Sequence, residues 1–264
     1  MNTTKERDVT FLSKEDLSSR ELSLVAEEPL SIMVQGRPYS ASMRTPGDEK
    51  AQVVGFCFTE ALIDGLEDFD SCIVEEKNQN LVRVMLKPSR YQAVENILTK
   101  KGFVTQSSSA ISPREMVADL MQGLRPSNHV LTLSFDRAMK LLDGLPGVQP
   151  LRKTTGASHA AAIYDSNDNP LAVAEDVGRH NALDKVIGKV LLENSQEDAC
   201  IAVLSSRVSY DMVKKAARAG LAMVLSVSRP TAMAVELAGK LNMTLACLGK
   251  KEGLFVFCGK NRFG

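Results

Sequence analysis

The chain has 264 residues, of which 44% are hydrophobic and 24% are charged, and its 32 basic and 32 acidic side chains cancel. Such a composition supports one large core or two smaller ones, and the zero net charge gives no basic surface of the kind that nucleic acids require. The N-terminal segment is polar, and no stretch approaches the roughly 18 apolar residues that a membrane span needs. We therefore predict a soluble, cytoplasmic protein that binds neither nucleic acid nor membrane.

Five cysteines are scattered along the chain and never occur in C-x-x-C spacing: Cys57, Cys72, Cys200, Cys247 and Cys258. Their odd number argues against a disulfide framework, and their spacing argues against a zinc site. We predict no bound metal.

The first half begins with a polar lead-in, residues 1 to about 28, and continues with mixed strand and helix signals. Gln35-Gly36 is turn chemistry between two short runs, which predicts a hairpin, and Pro46 precedes a helical pattern. The predicted elements are strands over 29–34 and 37–43, a helix from Asp48 to Leu62, strands over 72–75 and 81–86, and a helix over 91–100. We interpret this half as a smaller α+β domain.

A serine-rich stretch from Thr105 to Pro113 has neither helical nor strand periodicity and reads as an exposed loop between the halves. On local chemistry alone, Ser112 would cap a helix that has Pro113 at its first position. Helices are predicted over 114–124 and 135–145. We place the domain boundary here, with a smaller α+β domain over 1–112 and an α/β domain over 113–264.

In the second half, short apolar runs alternate with polar turns and helical patterns. A hairpin is predicted from the runs at 160–164 and 171–174, and continuous apolar runs follow at 199–204, 222–227 and 245–248. The succession of strand, helix and strand implies right-handed crossovers and therefore parallel strands. Parallel strands end at one edge of the sheet, so the polar turns after them should converge there.

The residues that we predict at this edge are Arg179, His180, Ser205, Ser206, Arg207, Ser228 and Arg229. Helix N-termini, serine hydroxyls and guanidinium groups together suit a phosphate or pyrophosphate. The alternative is that the serines cap helices while the arginines pair with Glu175 or Asp176. His159 remains open between a structural and a functional role, whereas His180 begins a helix, where the dipole favours a neutral ring.

Several long motifs then make the sequence recognisable. TGASHAAA at 155–162, EDVGRHNALDKVIG at 175–188, LSSRVSYDMVKKAARAG at 204–220 and VSRPTAMAVELA at 227–238 resemble the formate dehydrogenase accessory sulfurtransferase family, FdhD. EEPLSIMVQG at 27–36, GFCFTEALI at 55–63 and NMTL at 242–245 extend the resemblance over most of the chain. It implies an α/β fold, namely a cytidine-deaminase-like three-layer domain with a mixed sheet, preceded by a smaller α+β domain, in a homodimer.

The resemblance also implies a function. Members of the family look like carriers that take sulfur from a cysteine desulfurase and pass it to the molybdenum bis(molybdopterin guanine dinucleotide) cofactor of formate dehydrogenase. The family's cofactor-binding stretch after the last parallel strand corresponds to Leu248, Gly249, Lys250, Lys251, Glu252 and Gly253. We add His159 and, from the predicted crevice, Arg179, His180, Ser205, Ser206, Arg207 and Ser228.

The serine-rich loop departs from the family pattern. Ser109 and Ser112 stand where the family has its two relay cysteines, and a serine hydroxyl cannot form a persulfide. Two hypotheses follow: a sulfurtransferase with another sulfur carrier, of which Cys258 is the least implausible, or a module that binds and delivers the cofactor without moving sulfur. Maturation of formate dehydrogenase is the role in both.

Overall fold

The computed structural model describes residues 2–100, 124–249 and 253–264. The polar lead-in forms an antiparallel hairpin of β1, Thr4–Leu12, and β2, Leu17–Val25, paired from Thr4 opposite Val25 to Leu12 opposite Leu17. The sequence analysis did not predict this hairpin, because few of its residues are apolar and most of its side chains are exposed.

A mixed four-stranded sheet follows, with strand order β4-β3-β6-β5. Its strands are β3, Glu28–Val34, β4, Arg37–Arg44, β5, Phe69–Glu75, and β6, Asn78–Leu86. Gln35 and Gly36 both have positive φ, 51° and 73°, as a two-residue hairpin turn requires, so the predicted hairpin is confirmed. Two helices belong to this half, α1, Glu49–Thr59, and α2, Pro88–Lys100.

The second half contains a six-stranded sheet of order β12-β11-β10-β9-β7-β8. Its strands are β7, His159–Tyr164, β8, Pro170–Asp176, β9, Ile201–Leu204, β10, Met223–Ser226, β11, Thr244–Leu248, and β12, Leu254–Cys258. β9, β10 and β11 are parallel, as predicted, while β7 and β12 run antiparallel to their neighbours. The sheet is therefore mixed.

Helices cover both faces of this sheet. They are α3, Phe135–Gly144, α4, Pro150–Thr155, α5, Arg179–Leu192, α6, Tyr210–Arg218, and α7, Ala232–Lys240. Short 3-10 segments lie at Leu66–Asp68, Leu145–Val148 and Lys260–Arg262. Leu141 and Leu142 of α3 pack on one face with Val203, and Val186 of α5 packs on the other with Leu204. This three-layer arrangement confirms the predicted α/β class.

One hydrophobic core joins the two halves. It contains Leu30 and Val53 from the first half together with Val186 and Leu204 from the second. The predicted boundary near residue 112 and the predicted helix at 114–124, except for Leu124, lie outside the described residues. The division into domains over 1–112 and 113–264 therefore stays a prediction.

Helices α1 and α5 cross at two glycines whose backbones touch. A Cβ atom on Gly188 would lie 1.8 Å from the backbone oxygen of Ala51, and one on Gly55 would lie 1.9 Å from the backbone oxygen of Asp184. Both distances are far below van der Waals contact, so a larger residue at either position forces the helices apart. The sequence has glycine here because of this packing.

Buried ion pairs flank the crossing. Lys215 Nζ donates to both carboxylate oxygens of Asp184 at 2.7 and 2.9 Å, and Thr59 Oγ1 donates to the same carboxylate at 3.0 Å. Lys185 Nζ lies 2.8 Å from the Asp176 carboxylate and donates to the Thr45 carbonyl at 2.7 Å. Because these charges are paired and hydrogen-bonded, their burial is tolerated, and they fix the first half against the second.

Replacement of Gly188 by Ala is expected to lower the free energy of unfolding by at least about 2 kcal/mol, because the new methyl group collides with backbone rather than with a flexible side chain. Chemical denaturation monitored by circular dichroism measures this change. Gly239→Ala in α7 is the matched control, since within the described chain no atom beyond the adjacent residues and the backbone of its own helix lies within 4 Å of its added Cβ. The control should gain up to about 1 kcal/mol from helix propensity, and an equal loss in both variants would contradict the packing argument.

Candidate functional site

Three strand ends meet at one edge of the six-stranded sheet. His159, the first residue of β7, lies opposite Asp176, the last residue of β8. The backbone N-H of Ala160 donates to Ser205 Oγ at 2.8 Å, and the N-H of Ser205 donates to the Ala160 carbonyl at 3.0 Å. Val227, which follows β10, donates its N-H to the Leu204 carbonyl at 2.9 Å. This hydrogen bond joins the residues after β10 to the end of β9. We call this region the sheet-edge crevice and define it by His159, Arg179, Ser205, Ser206, Arg207, Ser209 and Ser228.

Three polar atoms of the crevice are buried without a hydrogen-bond partner in the described part of the chain. They are His159 Nδ1, Arg179 Nε and Ser209 Oγ. Buried polar atoms in folded proteins are nearly always paired, so this cluster calls for a polar ligand or for ordered water. Ser209 precedes α6 at the capping position, yet its side chain makes no capping bond. The sequence analysis did not select Ser209, although its place directly before a predicted helix was the available signal.

The charges around His159 are positive. Burial lowers the pKa of His159, and the Arg179 and Arg152 guanidinium groups lower it further, while Asp176 opposes them. The imidazole is therefore neutral at neutral pH, and the arginines supply the charge of this region. Arg152, which the sequence analysis did not select, donates to the Ser158 carbonyl at 2.8 Å. Positive charge near unpaired donors at helix N-termini suits an anion.

The acids that were expected to neutralise the arginines have other partners. Glu175 accepts hydrogen bonds from the backbone N-H groups of Leu151 and Arg152 at 2.8 and 2.9 Å and from the Ser158 hydroxyl at 2.6 Å. Asp176 pairs with Lys185. In the ranges that the structure describes, neither Arg179 nor Arg207 has a carboxylate within 4.0 Å. Their charges are thus left for a ligand.

The serines likewise do not act as helix caps. Ser205 Oγ accepts from Ala160, as described above, and Ser206 Oγ donates to the Arg207 carbonyl at 3.0 Å. The Ser228 carbonyl accepts from the Ser226 hydroxyl at 2.7 Å. Helix α7 is capped instead by Thr231, whose hydroxyl accepts from Ala234 N-H at 3.3 Å. The serines thus shape the turns and leave helix capping to other residues.

His180 faces a different space. It lines a cavity of about 360 Å³ between the two halves, together with Gln52, Phe56 and Lys215. Burial lowers the pKa of His180, with further lowering by the charges of Arg179 and Lys215 and an opposing effect of Asp211. Its Nε2 is buried without a partner among the described residues. The structure therefore separates His180 from the His159 side of the predicted site.

The described residues of the predicted cofactor-binding stretch, Leu248, Gly249 and Gly253, lie at the same edge, at the end of β11 and before β12. Leu248 pairs with Leu254, and the Gly249 N-H donates to the Gly253 carbonyl at 2.6 Å. The guanidinium carbon of Arg229 lies 5.2 Å from the ring centroid of Phe255 on β12. Lys250, Lys251 and Glu252 lie outside the described residues, as do Ser109 and Ser112, so their predicted roles stay predictions.

None of the cysteines is placed as an activated thiol. Cys57, Cys200 and Cys247 are buried, and Cys72 and Cys258 are half-buried. Burial raises the pKa of Cys72 and of Cys200 to about 11, and it also raises the pKa of Cys247 and of Cys258. The reactive form is the thiolate, which is scarce at neutral pH when the pKa is raised.

Two further observations concern metal binding and membrane-spanning helices. In residues 2–100, 124–249 and 253–264, no group of three or more His, Cys, Asp and Glu side chains is arranged to hold a metal ion. Over the same residues, no helix combines the length and the apolar character that crossing a membrane demands.

Together, these elements define a mixed-sheet α/β protein whose sheet edge gathers arginines and buried polar atoms that have no partner among the described residues. Comparison with known proteins gives the family. The model of the FdhD/NarQ family matches residues 25–264, and the chain belongs to that family.

Curated relatives agree over nearly the whole chain. The sulfur carrier protein FdhD of Anaeromyxobacter dehalogenans is 34% identical over 256 residues, covering 92% of this chain and 88% of the relative. The protein of the same name from Nocardia farcinica is 33% identical and covers 98% and 94%. A crystal structure of a candidate formate dehydrogenase accessory protein from Desulfotalea psychrophila superposes with a TM-score of 0.78 at 21% identity, with 100% of both chains covered. That last similarity concerns the fold.

Arg179→Gln and Arg207→Ala are each expected to weaken binding of GDP, a probe that carries a pyrophosphate, by more than about tenfold, or 1.4 kcal/mol. The reason is that each change removes a guanidinium group that has no carboxylate partner within the described part of the chain. Isothermal titration calorimetry measures the affinity. Arg137→Ala is the control. Arg137 Nε lies 2.7 Å from the carboxylate of Asp168, and Asp168 lies on the turn at the opposite edge of the sheet. Unchanged GDP affinity in the crevice variants would show that the anion does not bind at this edge.

Proposed function

We propose that this protein is a maturation factor for formate dehydrogenase and that its sheet-edge crevice holds the molybdenum bis(molybdopterin guanine dinucleotide) cofactor as cargo. Membership of the FdhD/NarQ family over residues 25–264 carries the proposal. It is supported by relatives named sulfur carrier protein FdhD. The proposed partners are formate dehydrogenase and a cysteine desulfurase, and the proposed setting is a cytoplasmic homodimer.

The residues present fit such a cargo. Each guanine dinucleotide carries a pyrophosphate, which guanidinium groups bind in a bidentate manner. Arg179 Nε and Ser209 Oγ are buried and lack partners in the described chain, so both have a hydrogen bond to offer. The N-termini of α6 and α7 add partial positive charge at the same edge.

In this site, the chain's own residues bind and orient the cargo. Arg179 and Arg207 hold phosphate oxygens, and the neutral His159 ring offers Nδ1 as a hydrogen-bonding group without adding charge. Gly249 and Gly253, which follow β11 and precede β12 and are joined by a backbone hydrogen bond, lie beside the cargo. The two buried ion pairs behind the crevice keep α5 and α6 in place, so the site is preorganised.

Sulfur transfer needs a thiol on the carrier. The carrier thiolate attacks the outer sulfur of a donor persulfide, the donor sulfur–sulfur bond breaks, the donor leaves as a thiolate, and a new persulfide forms on the carrier. The family's two relay positions hold Ser109 and Ser112 in this sequence, and serine cannot take part in this exchange. If this chain transfers sulfur, another cysteine must carry it.

A second function therefore has a specific observation in its favour. The five cysteines are buried or half-buried, and burial raises the pKa of Cys258, which the sequence analysis considered the least implausible substitute. Its thiol also donates to the Met243 carbonyl at 3.4 Å. These features favour a protein that holds and delivers the cofactor without moving sulfur.

Transfer of radiolabelled sulfur from cysteine through a desulfurase distinguishes the two functions. The wild-type chain should take up little label, because its thiols are not activated. The variant with Ser109→Cys and Ser112→Cys should take up label on the added thiols. Peptide digestion locates the label. The Ser109→Cys, Ser112→Cys variant with Cys258→Ser added is the control for a relay through Cys258.

Label on the wild-type chain that maps to one cysteine would contradict the delivery function and identify the sulfur carrier. Absence of label on the double-cysteine variant would contradict docking of the sulfur donor and with it the sulfurtransferase function.

A further inference from the structure

The N-terminal hairpin is a two-stranded sheet that contacts the rest of the chain through β2 and helix α4. β1 and β2 pair with each other and with no other strand of the described chain. A hairpin with no third strand is at best marginally stable, because it buries little apolar surface of its own. Its exposed faces are therefore available to another molecule.

One face of the hairpin combines basic and apolar side chains. Directly opposed residues of an antiparallel pair share a face, which places Lys5 with Leu24, Arg7 with Leu22, and Val9 with Arg20. Phe11 extends this face, with the Arg20 guanidinium 3.5 Å from its ring centroid. Leu22, Leu24 and Phe11 are 49%, 44% and 38% exposed. We call this surface the basic face.

The opposite face is acidic. It carries Glu6, Asp8 and Glu21, and the Ser23 hydroxyl donates to Glu6 at 2.5 Å across the strands. The two signs of charge are thus separated by the pleat of the hairpin. An exposed apolar stripe bordered by one sign of charge is complementary to an apolar surface bordered by the other sign.

Charge also argues against two other occupants. If the basic faces of two copies packed together, Lys5, Arg7 and Arg20 would face their own copies and repel. Anionic lipid surfaces attract clusters of roughly four to eight basic residues, whereas the basic face carries three, and residues 2–25 as a whole contain four basic and five acidic side chains. A protein with a local acidic and apolar surface fits this face better than either.

The hairpin stands beside the crevice. At its base, Thr3 and Thr4 line a cavity of about 490 Å³ together with Leu151 of α4 and Glu175 of β8. The next residue of α4, Arg152, is one of the charges that lower the pKa of His159. A protein bound to the basic face would thus lie next to the cargo site.

We infer that the basic face docks an acidic, apolar surface of the apoprotein that receives the cargo, which is formate dehydrogenase under the proposed function on which this inference rests. The hairpin would hold the acceptor protein at the mouth of the crevice. Lys5, Arg7 and Arg20 would meet its carboxylates, and Phe11, Leu22 and Leu24 its apolar side chains.

The test measures binding of the full chain to purified formate dehydrogenase apoprotein by biolayer interferometry. Lys5→Gln with Arg7→Gln should weaken binding at least about tenfold, and raised salt should weaken the wild-type complex in the same direction. Lys14→Glu in the hairpin turn is the matched control, because it lowers the net charge by the same two units away from the basic face. It should bind like the wild type. GDP affinity, measured in parallel, should be unchanged in all variants.

Equal binding of the control and the double variant, or equal loss in both, would overturn the inference while leaving the proposed function standing. Binding of the wild type to vesicles containing phosphatidylserine, lost in the double variant, would assign the face to lipid and also overturn it. A wild-type chain that binds no apoprotein contradicts both the inference and the partnership in the proposed function. In that case, weaker GDP binding in the crevice variants would still support the cargo site.

Discussion

The contact between the backbones of α1 and α5 is the constraint on which the rest of the structure depends. Gly55 and Gly188 let the two helices approach until added Cβ atoms would overlap carbonyl oxygens at 1.9 and 1.8 Å. This approach brings Thr59 to Asp184 and Thr45 to Asp176, so each of the two ion pairs of the second half accepts a hydrogen bond from the first half. The crevice is built on the first turn of α5, and its geometry therefore follows from the crossing.

The same ion pairs explain why the crevice is positive. Asp176 and Asp184 are satisfied by Lys185 and Lys215, and Glu175 by backbone N-H groups of α4. In the described residues these acids therefore do not pair with Arg179, and its Nε stays buried without a partner. The acidic side chains are thus engaged in contacts that stabilise the fold, while the arginines lie at the edge of the sheet. This division of charge suits a phosphate-bearing cargo.

Much of this arrangement was predictable from the sequence, because apolar runs such as 199–204 and the polar residues after them define strand ends in order along the chain. The parallel strands and the meeting of their turns followed from that order. The role of Gly188 did not, since a glycine inside a helical pattern gives no sign of the helix that it touches. The pairing of Asp184 with Lys215 did not follow from it either, because the two residues are 31 positions apart and no pattern in the sequence links them. The β1–β2 hairpin was missed because charged residues interrupt its apolar alternation.

The central claim is that this chain matures formate dehydrogenase, and restoration of enzyme activity tests it most directly. A bacterial strain that lacks its own member of the family would express this chain together with the formate dehydrogenase of the source organism, and extracts would be assayed for formate-dependent dye reduction. The account predicts activity with the wild-type chain and a loss of most of it with Arg179→Gln, at equal levels of folded protein. Activity that stays at the level of the strain without the chain would contradict the account.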